Sequence, residues 1–353
     1  MEGPWRIRFA SSVVLAGCMC FVGCSGPPSG SGGAGTPAAV AYVWGFNAGN
    51  GAPQTILKYA VGSAESSDPV STLQLPSQYT GLGLTTDSSN QLYVGVTNAA
   101  SDSQVLVYAG GTSGTTAPTR VIDVVNAPQC LFVDVAGKLY VGSSYGALQN
   151  TVISVYAPDA AGQAVPLRTV QSPTNRQIVD IVADSSGTIY VAGSPQYDSG
   201  NIPYGFVDVY SADAADSAEP VRSISFSVFI DGVAVDGDGN VFVSVEGSLS
   251  TGVSQAASVA VEEFAPDANG YATAVRIIKL PEQAVPTGES GSGGVGGGLV
   301  RFDGAGNIFT PEITGMEGSF NYVLYKIAPA TSNPAPVAQI NPELGYDFIF
   351  ALN

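Results

Sequence analysis

The chain has 353 residues, of which 44 are Gly and 23 Pro, and only 12% carry charge. Acidic residues exceed basic ones by 29 to 12, a formal charge of −17; such a surface repels phosphate backbones and argues against nucleic-acid binding. There is no histidine, which removes imidazole-activated serine and cysteine nucleophiles, histidine general bases and imidazole zinc sites.

Residues 1–23 read as an export signal: "MEGPWRIR" supplies two arginines, and "FASSVVLAGCMCFVG" is apolar but short of the ~20 residues a spanning helix needs. Two tetrapeptides, "LAGC" ending at Cys18 and "FVGC" ending at Cys24, resemble the bacterial lipobox, in which a small residue precedes a lipid-modified cysteine. Cys24 is the favoured attachment point because it leads directly into the Gly/Ser/Pro linker 24–39; Cys18 is the alternative. Ser25 rather than Asp after the cysteine points, by the usual Gram-negative sorting pattern, to the outer membrane, on its periplasmic face or at the cell surface. Beyond this region only Cys130 remains, so no internal disulfide is expected in the mature fold, and its setting in "APQCLFVDV" points to a buried core thiol.

From residue 40 onward one pattern repeats. A hairpin unit recurs as "GLGLTTDSSNQLYVG", "CLFVDVAGKLYVG", "IVDIVADSSGTIYVAG", "GVAVDGDGNVFVS" and "GLVRFDGAGNIFT". A third strand follows each ("VLVYAGG", "ISVYAPD", "VDVYSAD", "VEEFAPD", "LYKIAPA"), with an earlier copy, "ILKYAVG", at 56–62. A fourth closes the unit as "PTRVI", "PLRTV", "PVRSI" and "AVRII"; the interval from the third-strand aromatic to the arginine is 12 residues each time. Four strands a-b-c-d per ~50 residues, rich in β-branched and aromatic side chains, predict an all-β, six-bladed β-propeller of four-stranded antiparallel blades over residues 40–353. The first copy lacks strand a and the segment "GYDFIFALN" supplies one, so the C-terminal strand is expected to join the N-terminal blade and close the ring.

"GVAVDGDGNVFVS" followed by "EEFAPDANG" resembles NHL-type repeats and their six-bladed relatives in the TolB-like and gluconolactonase-like group, a likeness that covers residues 40–353 at the level of the repeat. The resemblance implies the fold. The gluconolactonase relatives hold a divalent metal with Glu, Asn and Asp at the channel mouth, but those positions do not match here one by one, and no metal set is assigned. Streptogramin-lyase propellers use a histidine that this chain does not have.

Asp236, Asp238 and Asn240 in "DGDGN" have the spacing of a calcium loop, yet the twelfth position is Gly247, and the corresponding "VAGK" at 135–138 has no acidic residue. A hairpin turn is expected instead. The a–b and c–d turns are uniform, whereas the b–c and d–a connections vary, so a site is expected at the variable end, near the channel mouth. Residues expected there are Arg176, Asp231, Glu246 and Glu312, with Tyr197 and Tyr204 as loop aromatics. Arg120, Arg168, Arg222 and Arg276 are expected to guard blade edges or pair with acidic residues of neighbouring turns, and "GESGSGGVGGG" (288–298) reads as a flexible linker. The functional expectation is a lipid-anchored, non-catalytic, monomeric binding module for a protein or cell-envelope ligand, needing no cofactor. The alternative is a metal-dependent hydrolase or lactonase with carboxylates at the channel mouth.

Overall fold

The computed structural model describes residues 42–47, 54–60, 69–145, 150–172, 176–195, 205–246, 259–280, 294–296, 298–303, 305–316, 319–328, 336–340 and 351–352. The export segment with Cys18 and Cys24, the linker, and Tyr197 and Tyr204 lie outside them.

Every regular element is a strand. In chain order, β1 (Tyr42–Asn47), β2 (Thr55–Ala60) and β3 (Ser71–Gln74) belong to the first sheet. The second comprises β4 (Tyr79–Thr86), β5 (Leu92–Asn98), β6 (Ser103–Tyr108) and β7 (Arg120–Val124). The third comprises β8 (Cys130–Val133), β9 (Leu139–Tyr145), β10 (Asn150–Tyr156) and β11 (Arg168–Gln171). The fourth comprises β12 (Arg176–Ala183), β13 (Ile189–Pro195), β14 (Gly205–Tyr210) and β15 (Arg222–Phe226), and the fifth β16 (Ile230–Val235), β17 (Val241–Glu246), β18 (Val259–Phe264) and β19 (Arg276–Lys279). The last sheet holds β20 (Gly294–Gly296), β21 (Arg301–Phe302), β22 (Ile308–Met316), β23 (Ser319–Ile327) and β24 (Pro336–Ile340). Finally β25 (Ala351–Leu352) pairs antiparallel with β1, Val43 opposite Leu352 and Trp44 opposite Ala351, which completes the first sheet.

The inner strands touch in succession, β25 with β4, β4 with β8, β8 with β12, β12 with β16 and β16 with β21, so the sheets stand radially with their first strands innermost. Middle strands are then sandwiched between neighbouring sheets. This is why β14, "GFVDVY", is buried at all six positions rather than alternating. The fold is a β-propeller.

At the periphery each outer strand is tied to the next sheet. Leu73 bridges Gly114, Ile122 bridges Gly162, Val170 bridges Asp216, and Ile224 bridges Gly270, each in parallel sense. The turn residue has positive φ in all four cases (54–65°) and donates one backbone hydrogen bond to the outer strand and accepts one from it. The arginines reinforce the same junction. Arg168 donates to the Ala214 carbonyl (2.6 Å) and Arg222 to that of Ala268 (2.9 Å), while Arg120 reaches Pro158. The guanidiniums of Arg120, Arg222 and Arg276 also lie over Tyr93, Tyr190 and Phe242, 5.7–5.8 Å from the ring centroids. The expected acidic partners in neighbouring turns are replaced by carbonyls, since outward-pointing turn C=O groups are the acceptors nearest the outer strands; Arg276 instead pairs with Glu263 of its own sheet.

Five sheets have the expected four strands; the last departs from it. Its inner strand is split: β20 pairs with Ile313–Gly315 and β21 with Ile308–Phe309, and among the described residues the inner edge of β22 between them has no ladder partner. Pro311 sits in that gap and has no N–H to offer a ladder. Part of the glycine run expected as a linker is therefore strand β20. The irregular stretch 298–300 passes so close to β16 that a Cβ on Gly232 would stand 2.5 Å from the Leu299 Cα, and only glycine fits there.

Two further corrections concern single residues. Asp134, which immediately precedes "VAGK", fills the place of Asp236, so that turn does have its carboxylate. Cys130 is fully buried, as expected, but it is disulfide-bonded and so is not the free core thiol expected.

Candidate functional site

The a–b turns show what is not available for function. In each, an Asp carboxylate oxygen accepts the backbone N–H groups two and four residues on: Asp87 from Ser89 and Gln91, Asp134 from Ala136 and Lys138, Asp184 from Ser186 and Thr188, Asp236 from Asp238 and Asn240, Asp303 from Ala305 and Asn307. The second oxygen takes a side-chain donor, Asn240 at 2.8 Å for Asp236 and Tyr140 at 3.1 Å for Asp134. The residue three beyond the aspartate has positive φ: Asn90, Gly137, Gly187, Gly239 and Gly306. This is a tight turn closed by its own carboxylate, and Asp236 has both oxygens committed to it.

The opposite end differs from sheet to sheet. Arg176 opens β12 in register with Pro195, the last residue of β13. Asp231 is the second residue of β16, and Glu246 the last of β17, in register with Val259. Because β12 and β16 are adjacent inner strands, Arg176 and Asp231 begin neighbouring sheets at the same end. Asp231 also sits where the register jumps between Ile230 and Gly232. A bulge of this kind turns a side chain out of the regular alternation and is common beside binding sites.

Glu312 lies deeper. It is fully buried in β22 and accepts a hydrogen bond from the Tyr325 hydroxyl at 2.9 Å. Burial pushes its carboxyl up to about 7, with Tyr325 pulling the other way.

Sequence reasoning missed an ion pair. Arg301 and Asp180 are buried and paired bidentately, Nη2 to Oδ1 at 2.6 Å and Nη1 to Oδ2 at 2.8 Å. Nη1 also donates to the Val233 and Val300 carbonyls, and the carboxylate accepts the N–H groups of Val233 and Ile181. Burial pushes the Asp180 carboxyl up, opposed by Arg301 and those two N–H groups. The pair joins β12, β16 and β21, three consecutive inner strands. Its signal was one charge in each of two apolar stretches, "IVDIVA" and "GLVRF". Among the described residues no group of three or more Cys, Asp or Glu is placed to hold a metal ion.

No family model matches the chain, and no curated protein matches it in sequence. Its structure is similar to that of the periplasmic gluconolactonase of Pseudomonas aeruginosa, with a TM-score of 0.53 at 14% identity over 85% of this chain and 83% of that one. It is also similar to a protein of unknown function from Bacteroides caccae, with a TM-score of 0.51 at 10% identity over 89% of this chain and 99% of that one. The chain shares the propeller fold with both. At these identities the likeness is one of fold alone.

Proposed function

We propose that this chain is an exported, lipid-anchored binding propeller, a six-bladed ring of NHL-like repeats that takes a protein or cell-envelope ligand at the end where β12 and β16 begin. The observation that supports it is the contrast between the two ends. At one, the repeating aspartates are committed to their own turn backbone; at the other, Arg176, Asp231 and Glu246 are unique to their sheets. Tyr197 and Tyr204 belong to the connection at that end and would add aromatic contact area. Cys24, or alternatively Cys18, would carry the lipid and place the protein at the outer membrane, as a monomer that needs no cofactor.

A second reading, a metal-dependent lactone hydrolase using Asp231 and Glu246, is favoured by the likeness to a gluconolactonase. One experiment separates them. The full-length protein is titrated with calcium, magnesium, manganese and zinc while its melting temperature and its hydrolysis of gluconolactone are followed. The binding reading predicts no stoichiometric metal and no turnover. Sub-micromolar metal binding with lactone hydrolysis, both lost in Glu246→Ala, would replace it with the hydrolase.

A further inference from the structure

The layer between the fifth and last sheets holds a polar cluster that the ligand-bearing end does not use. Thr310 and Glu312 alternate along β22 on the face of Ile308, opposite Tyr325 and Val323 of β23. That face packs against Phe242 of β17 and Val259 and Val261 of β18. Ser244, two residues beyond Phe242, is on the same side of β17. Ser244 is eight residues past Asp236, while Thr310 and Glu312 are seven and nine past the equivalent Asp303, so the three stand at one level of the layer.

All three are fully buried, and Ser244 Oγ, Thr310 Oγ1 and Glu312 Oε1 have no hydrogen-bond partner. Leaving such atoms unmatched is unfavourable, and most unfavourable for an ionised carboxylate. The split inner strand adds to this, because among the described residues β22 has no ladder partner on its inner edge at Thr310–Glu312. Among the described residues no charge is placed as a counter-ion to the carboxylate. Arg301 is engaged with Asp180, Arg276 with Glu263, and Lys326 lies over Phe309 and 3.5 Å from Asp303. The remaining ionisable groups of the facing sheet, Asp231, Glu246 and Glu262, are acidic, and Lys279 alternates to the other side of β19 from Ile278.

We propose that Glu312 makes this seam proton-operated: it is closed with Glu312 protonated and loosens toward the ligand-bearing end when Glu312 ionises. In the closed form Tyr325 donates to Oε2 and the protonated carboxyl brings no charge into the layer. Loss of the proton leaves an anion with Tyr325 as its one charge-stabilising donor. The raised carboxyl, about 7, gives the direction. Between the ordinary glutamate range and that value the folded chain holds a proton that the unfolded chain has released. Stability from this group is therefore greatest on the acid side and is lost as pH rises through neutrality.

The test compares melting temperatures of the full-length protein and Glu312→Gln from pH 5 to 8.5 at fixed ionic strength. Gln mimics the protonated acid, so the variant should melt higher by roughly 3–8 °C at pH 8.5, with the two curves converging near pH 5. Tyr325→Phe removes a donor to the anion and should move the midpoint of the pH-dependent loss upward. Carbon-13 titration of the glutamate carboxyls in the unaltered protein should give one resonance with a midpoint near neutrality. Parallel melting curves, an unmoved midpoint in Tyr325→Phe, or glutamates that all titrate below about pH 5.5 would overturn the proposal.

Discussion

Asp180 and Arg301 show what a single residue contributes at the inner ring. Each replaces a small or apolar residue of the equivalent strand: Gly83, Cys130 and Gly232 in the place of Asp180, Thr85, Phe132 and Ala234 in that of Arg301. Taking two charges from water is unfavourable, and the bidentate contact plus four backbone hydrogen bonds offsets that cost. Removing one partner leaves the other buried and unmatched. Asp180→Ala should therefore lower unfolding stability by about 3–5 kcal/mol in urea denaturation, and adding Arg301→Met should restore much of the loss. A single variant as stable as the parent would mean that water reaches the pair. Two charges 121 residues apart in sequence carry no sign of their meeting. Glu312, by contrast, was legible as a functional candidate, but its burial was not, because it comes from the packing of β22 against the fifth sheet.

At the scale of the element, the a–b hairpin explains why "DGDGN" resembles a calcium loop without its geometry being that of one. The aspartate's oxygens are filled by N–H groups, so the same chemistry recurs in turns with no second acidic residue, as at Asp134. Asp134→Ala and Asp236→Ala should each cost about 1–3 kcal/mol, the worth of hydrogen bonds to a charged acceptor, and added calcium should shift neither melting temperature. A calcium-dependent rise confined to the parent and lost in Asp236→Ala would restore the ion-binding interpretation. The hairpins were legible because Asp, a positive-φ residue and an aromatic return at fixed intervals. The split of the last inner strand was not, because a glycine run has no side-chain pattern to distinguish strand from connection. The arginines were legible as edge residues; that they cap carbonyls of the next sheet follows only from the radial packing.

For the whole molecule, stability depends on radial sheets that lean on their neighbours in succession. The 50-residue repeat made this architecture readable, since one sheet alone cannot bury both faces of strands such as β14. The first sheet is completed by β25, whose pairing with β1 joins residues some 300 positions apart and supplies its inner strand. Without it the first sheet loses its innermost member, and β4 keeps only its contact with β1 on that side. Thermal unfolding of the full-length protein against a chain ending at Leu344 tests this most directly. The closed ring predicts that the shortened chain melts many degrees lower with a broadened, less cooperative transition. A single sharp transition at the parent temperature would contradict it.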